Sequence, residues 1–400
     1  MDAGDRPIRL LVVAGEPSGD TIGALLLDAL NARAPRPVVC TGIGGPAMRQ
    51  AGLEPLYDQS DLAVMGLVEV LPRLPRIASI LRGTVAAAVA APPDAVVTID
   101  SSSFARRLVR GLRRAGIGVP AVHYVAPMVW AWRPGRARRT ARDFDRLLTL
   151  FPFEPPLFRA HGLPTDWVGH PVVETPAGDG ATFRGRHGIP TATRLLALLP
   201  GSRAGELDRL LPVFGAAAAH LRRVLPDLRL VAPTLPHLAA RLARAWPEAL
   251  LAVEPSARRD ALAAADAAIA ASGTVTLDLA AAAVPMVVGY RMAAPTAWLA
   301  RRLLRVPYVA LPNILAGAPV VPELLQADCT GEALAAAVLP LLADPVAAAA
   351  QRRGLAGVLD ALCAGEERPS RRAAGIVLAL ATAEGTPQID GEEPIHRRPR

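Results

Sequence analysis

Short apolar runs alternate with longer stretches in which apolar residues recur every three to four positions, and this alternation governs most of the 400-residue chain. Runs of four to seven apolar residues closed by Gly, Pro, Asp or Ser predict buried strands, and the 3.6-residue period between them predicts helices. The strands are expected near 8–14, 38–42, 95–100, 119–125 and 147–151, then again near 195–199, 228–231, 250–253, 267–270 and 285–290. Between the two series, residues 172–193 are rich in Gly, Pro and Thr without an apolar period, which predicts a linker. From Glu332 to about Ala383 the pattern is helical only, and 385–400 is polar and charged, the composition of a disordered tail. Strands that are apolar throughout and alternate with helices indicate parallel βαβ units. The expected fold is therefore α/β: two doubly wound Rossmann-like domains (1–171 and 194–365) facing a cleft, with a further C-terminal helix at 366–384.

Open α/β sheets bind ligands beyond the carboxyl ends of their strands, so polar residues just after strands carry the functional signal. Glu16, Ser18 and Asp20 follow the first strand, Asp100 to Ser103 a later one, and His123 another. In the second half, LPGSRAGE puts Ser202 and Arg203 where a strand becomes a helix. Backbone N–H groups at a helix start are already positive, so an arginine there suits a phosphate or diphosphate. The competing assignment pairs Arg203 with Glu206 or Asp208 on its own helix. ASGTVTLDLA repeats the design with Ser272, Gly273 and Thr274, and adds Asp278 one turn on as an acceptor for a ribose diol. Two such turns in one domain point to a nucleoside diphosphate.

Composition narrows the chemistry. The 44 basic residues are all arginine, which excludes a Walker phosphate loop and a lysine Schiff base. A net charge of +8 favours anionic partners. The arginines are scattered, however, and aromatics make up only 4% of residues, so nucleic acid is not expected. No G-x-G-x-x-G follows the first strand, the seven histidines form no H-E-x-x-H, and no metal or cofactor is expected. Cys40, Cys329 and Cys363 lack zinc or redox spacing and read as buried thiols. No uninterrupted apolar run approaches the roughly 18 residues of a membrane span, and the first run is too short for a signal peptide, so a cytosolic protein is expected. Between Val64 and Val85, the residues Val68, Leu71, Leu74, Ile77 and Leu81 lie among Arg73, Arg76 and Arg82. That pattern fits an anionic membrane surface or core packing, as does Trp130 with Trp132 beside Arg133 and Arg136.

AGEPSGD, GIGGPAM, AVMGLVEVL, HYVAPMVWAWRPGR, LPGSRAGE, ASGTVTLDLA, VPMVVGYRM and PYVALPNILAG followed by VPELLQ occur in this order. Over nearly the whole chain, to about residue 383, they resemble the lipid-A-disaccharide synthase family. The resemblance implies a GT-B glycosyltransferase that condenses UDP-2,3-diacylglucosamine with 2,3-diacylglucosamine 1-phosphate, with inversion and UDP as leaving group. It also implies peripheral association with the inner membrane, a final helix returning to the first domain, and room for a homodimer. Carried onto this chain, Asp100 is the first candidate base and Glu16 the second, although Asp100 can also be read as a helix cap. Ser18 and Asp20 would meet the acceptor, and Val68, Leu71, Leu74 and Ile77 the acyl chains or membrane. Ser202, Arg203, Ser272, Gly273, Thr274, Asp278, Asn313, Glu323 and Gln326 would bind UDP. Two departures stand out. The family commonly has Asp, Pro and a second acid before Phe, where this chain reads Asp100-Ser101-Ser102-Ser103-Phe104, and its usual ribose-binding Glu is Asp278 here. A UDP-N-acetylglucosamine 2-epimerase-like isomerase and a catalytically inactive sugar-nucleotide-binding protein remain as alternatives.

Overall fold

The computed structural model describes residues 6–62, 74–130, 135–293 and 307–383. Val68, Leu71, Arg73, Trp132, Arg133 and the 385–400 tail lie outside them. The first sheet holds β1 (Ile8–Ala14), β2 (Val38–Gly44), β3 (Glu54–Asp58), β4 (Ala95–Ile99), β5 (Ala121–Tyr124), β6 (Arg146–Thr149) and β7 (Thr165–Trp167). All are parallel, in the order β3-β2-β1-β4-β5-β6-β7. The second holds β8 (Leu195–Leu199), β9 (Arg229–Pro233), β10 (Leu250–Ala252), β11 (Ala267–Ala270), β12 (Met286–Tyr290) and β13 (Glu323–Leu325), in the order β10-β9-β8-β11-β12-β13 and again parallel. Both sheets are doubly wound, as the alternating pattern requires. Strand order reverses between β1 and β4 in one sheet and between β8 and β11 in the other. Those reversals split the flanking helices to opposite faces and open a crevice at the strand ends.

The central strands are buried along their whole length, which is why they read as continuous apolar runs. β3, β7 and β13 carry no such run. Each is an edge strand with at most one buried residue, so its sequence lacks the signal. The stretch expected as a linker is also more structured than its composition suggests. A 3₁₀ turn spans Pro171–Glu174, and Asp179 caps a helix at Gly180–Arg186 by accepting from the Thr182 N–H at 2.8 Å. That helix packs on the helix Pro255–Ala264 so closely that a Cβ on its first residue, Gly180, would stand 2.4 Å from the Ala263 carbonyl oxygen. Arg184 fastens it by donating to the Ala264 carbonyl and to Asp266.

The helix Pro369–Thr382 lies along the helix Pro17–Arg33 and joins the first domain's core through Ala373, Ala374, Val377 and Leu378. Full burial of each larger aliphatic side chain there is worth about 1.5–3 kcal/mol. The Glu174 carboxylate accepts from the Ser370 N–H at 2.6 Å, tying the helix start to the interdomain turn. Leu277, Leu311 and Leu362 belong to the same apolar cluster, so the two domains share packed surface. Cys40 and Cys329 are buried, whereas Cys363 is exposed, against the expectation of three buried thiols. Trp130 resolves toward packing: it meets Phe151 and Phe153 edge-on and donates to Glu154 Oε1 at 3.2 Å. Among the described residues, no single helix is long and apolar enough to cross a membrane.

Candidate active site

β1 and β4 are hydrogen-bonded neighbours, with Ala14 opposite Ile99, so the turns that follow them lie side by side at the first reversal of strand order. Glu16 precedes the helix Pro17–Arg33, whose proline occupies the first turn where no N–H is required. Its side chain makes no capping bond. Partial burial pushes the Glu16 carboxyl up to about 7, helped by the nearby charge of Asp100 and opposed by Arg203. Arg203 belongs to the second domain, so the two halves of the cleft sense one another electrostatically.

Asp100 and Ser101 both adopt left-handed backbone, with φ of 53° and 43°. Outside glycine this conformation costs about 1–2 kcal/mol per residue, least for Asp and Asn. Burial raises the Asp100 carboxyl above its ordinary range, while hydrogen bonds from Ser101 and Ser18 oppose that shift. The bonds come from the Ser101 N–H to Oδ1 at 2.8 Å and from Ser18 Oγ to Oδ2 at 3.5 Å. The capping alternative is not realised, because Ser101 rather than Asp100 stands at the cap of the helix Ser102–Arg114. Gly15 is required beside it: a Cβ there would fall 2.4 Å from Ser101 Oγ. On the adjacent strand end, Val125 has φ 75°, a costly state for a β-branched residue. Strain of this kind concentrates where surrounding structure holds a functional geometry.

Asp20, expected among the acceptor contacts, is instead a buried support. Its carboxylate accepts from the N–H groups of Gly45, Ala47 and Met48 at 2.8, 3.0 and 3.0 Å and so builds the glycine-rich turn after β2. Leu74 is 40% exposed. Ile77 and Leu81 pack against the core of the first domain, so the apolar stripe divides between surface and interior.

In the second domain β8 pairs with β11, placing Ser202 and Arg203 next to Ser272, Gly273 and Thr274 at the other reversal point. The expected open helix start is closed by the protein itself. Glu206 Oε2 accepts from the N–H groups of Ser202 and Arg203 at 3.2 and 3.3 Å, and Tyr290 donates to its Oε1 at 3.2 Å. The Arg203 guanidinium approaches Glu206 at 3.7 Å while staying 62% exposed. Pairing within the helix therefore exists, and it leaves most of the charge facing the cleft. Ser272 Oγ donates to the Val309 carbonyl at 2.9 Å. Asp278 is an exposed residue in the first turn of the helix Val275–Ala281. Desolvation pushes it up to about 6, and Arg258, a residue without any motif in the sequence, draws it down.

Asn313, Glu323 and Gln326 are brought to this region, but their polar atoms are engaged within the chain. The buried Asn313 amide bonds Val321 in both directions at 2.8 Å. Glu323 accepts from the N–H groups of Val309 and Ala310 at 3.0 and 2.9 Å and from Asn313 Nδ2 at 2.8 Å. Gln326, with φ 52°, matches its carboxamide to the main chain of Met292. The polar groups of Asn313 and Glu323 are thus engaged within the chain rather than left open. Tyr290 is a contributor that pattern reasoning left aside, although it sits in the VPMVVGYRM motif; Glu206, expected only as a partner for Arg203, is the group it donates to.

Two doubly wound, Rossmann-like domains, each an all-parallel sheet with flanking helices, define the GT-B class of fold. Solved structures of this fold include a putative UDP-N-acetylglucosamine 2-epimerase from Listeria monocytogenes, 13% identical, with TM-score 0.60 over 94% of this chain and 95% of that one. The glycotransferase of kitacinnamycin is 19% identical, with TM-score 0.62 over 94% and 100%. At these identities the likeness concerns the fold alone. Residues 10–374 match the lipid-A-disaccharide synthetase family. The lipid-A-disaccharide synthase of Rhodospirillum centenum is 48% identical over 399 residues, covering 98% of this chain and 100% of the relative. That of Paramagnetospirillum magneticum is 47% identical over 376 residues, covering 92% and 96%. The chain belongs to the lipid-A-disaccharide synthase family, glycosyltransferases of lipid A biosynthesis, and the epimerase alternative is set aside.

Proposed function

We propose that the enzyme transfers the 2,3-diacylglucosamine unit of its UDP derivative to the 6-hydroxyl of 2,3-diacylglucosamine 1-phosphate in one inverting displacement. The observation that carries this reading is the pairing of Glu16 and Asp100 on one side of the cleft with Arg203 on the other, close enough to oppose the rise in the Glu16 pKa. A single displacement needs a base at the attacking hydroxyl and positive charge at the departing diphosphate. Asp100, fixed by two hydrogen bonds and a strained backbone, takes the proton. Glu16, held near neutrality, orients the acceptor with Ser18. Arg203, with Ser202 and Thr274, receives the diphosphate, and Asp278 the ribose; Asn313, Glu323 and Gln326 hold the wall behind them.

Asp100→Asn tests the assignment, since Asn tolerates the left-handed backbone and keeps the side-chain size. Disaccharide formation from the two acylated sugars should fall by about 10²- to 10⁴-fold with UDP affinity unchanged. A stable variant with near-normal synthesis would refute it, and no product from the native enzyme would favour the inactive binding protein.

Membrane association belongs to the same reading, because both substrates carry acyl chains. Leu74 supports it, being 40% exposed at the start of the helix Leu74–Ala90, with Arg76 nearby on the same helix. Leu74→Ser should weaken sedimentation with vesicles containing anionic lipid. Unaltered binding would remove this residue from the contact.

A further inference from the structure

Beside Asp100 lies a buried relay that the proposed displacement does not use. His123 on β5 is 0% exposed, and its ring stacks on Phe144 with centroids 4.6 Å apart. Its Nδ1 is 2.8 Å from Thr98 Oγ1, and its Nε2 is 3.1 Å from Ser102 Oγ. Thr98 has one hydroxyl proton, directed at the Val122 carbonyl oxygen 3.3 Å away. We assign that proton to the carbonyl rather than to the ring, so the threonine oxygen accepts from Nδ1–H and Nε2 is left as a bare acceptor. Burial keeps the ring neutral by pushing its pKa down to about 4. Ser102 must then give its proton to Nε2.

Ser102 is half-buried, opens the helix Ser102–Arg114, and stands two residues beyond Asp100 on the same turn. With its proton fixed inward, it offers a ligand only lone pairs. The same pair is not built as a nucleophile. Thr98 rather than a carboxylate faces Nδ1, and a ring held so firmly neutral is a weak base.

We propose that Ser102, locked by His123, is a specificity residue for the acceptor sugar, its Oγ accepting a hydrogen bond from the 4-hydroxyl while Asp100 faces the 6-hydroxyl. The inference rests on the reaction proposed above. In an acceptor acylated at positions 2 and 3 and phosphorylated at position 1, the ring keeps free hydroxyls only at 4 and 6. The 6-hydroxyl is the nucleophile, which leaves the 4-hydroxyl as the ring hydroxyl that needs an acceptor. Its carbon is separated from C6 only by C5, so both hydroxyls fall within reach of one turn of backbone.

Steady-state kinetics with 2,3-diacylglucosamine 1-phosphate and its 4-deoxy analogue test this. Ser102→Ala should raise the KM of the full acceptor roughly 3- to 10-fold, the range for one neutral hydrogen bond, with donor KM and UDP affinity unchanged. On the 4-deoxy acceptor the same substitution should have no effect. Ser102→Thr, which keeps the hydroxyl, should stay within about 2-fold of the native value. His123→Phe, which releases the Ser102 proton, should raise acceptor KM, and the double variant should be no worse than Ser102→Ala alone. Equal penalties on both acceptors, or an unchanged KM in Ser102→Ala, overturn the proposal. If His123→Phe does not fold, the comparison of Ser102→Ala across the two acceptors decides by itself. Asp100→Asn assayed in parallel separates the cases, since retained turnover there refutes the reaction and not merely the role of Ser102.

Discussion

Replacing Glu16 by Gln removes a carboxyl that the fold holds at about 7 against an ordinary 4.5, chiefly by burial. A group whose pKa rises on folding binds its proton more tightly in the native state. Its stabilising contribution is therefore complete below pH 4.5 and is lost as the pH climbs through about 7. At roughly 1.4 kcal/mol per unit the full swing would be about 3 kcal/mol. Water reaches part of the side chain, which reduces the expected swing to about 1–2 kcal/mol. Glu16→Gln carries no charge at any pH, so it should unfold at a higher temperature than the native protein at pH 8, with the difference gone by about pH 4.5. Thermal unfolding of both proteins across that range, followed by circular dichroism, measures it. A variant no more stable than the native protein at pH 8, or a difference that does not vary with pH, would refute the reasoning. Either result would mean that the Glu16 carboxyl is well solvated and not held beside Asp100.

The site supports two further expectations. Arg203→Ala should weaken UDP binding by roughly 1.5–3 kcal/mol, the worth of a charge-assisted hydrogen bond, and Arg203→Lys should recover only part because the planar fork is lost; unchanged affinity in calorimetry would remove the diphosphate from this turn. Asp278 is pushed up to about 6, so its ability to accept two ribose hydroxyls should fade as the pH drops below that value. Donor KM should then rise in acid in the native enzyme and stay flat in Asp278→Asn, and a matching rise in the variant would place the titrating group elsewhere.

Both reversal-point turns were legible in the sequence because a strand end followed by Gly, Ser or an acid is a local signal. Glu16, Asp100, Arg203 and Ser272 all lie where the apolar runs stop. The roles of the side chains were less legible. Asp20 and Arg203 look alike in one dimension, each a charged residue in a turn. Asp20 nevertheless closes on three backbone N–H groups from a different strand end, while Arg203 remains exposed. Asn313 and Glu323 carry motif-level resemblance, yet their partners at Val309, Ala310 and Val321 become neighbours only when the loop before β13 folds back.

The sequence by itself determined the two series of parallel strands, the class of fold, the family and the neighbourhood of the cleft, since each rests on patterns within a few dozen residues. Strands buried on both faces must be apolar along their length, and that requirement is written locally. Edge strands such as β3, β7 and β13 have no such requirement, so only pairing in the folded sheet defined them. Tertiary structure alone decided that Thr98, Ser102 and His123 form one hydrogen-bonded line, that Tyr290 reaches Glu206 behind the turn carrying Arg203, and that Glu16 senses Arg203 from the other domain. The physical reason is range. Periodicity reports what a residue does within its own element, whereas a hydrogen bond or a pKa shift depends on groups far away in the chain and close in space.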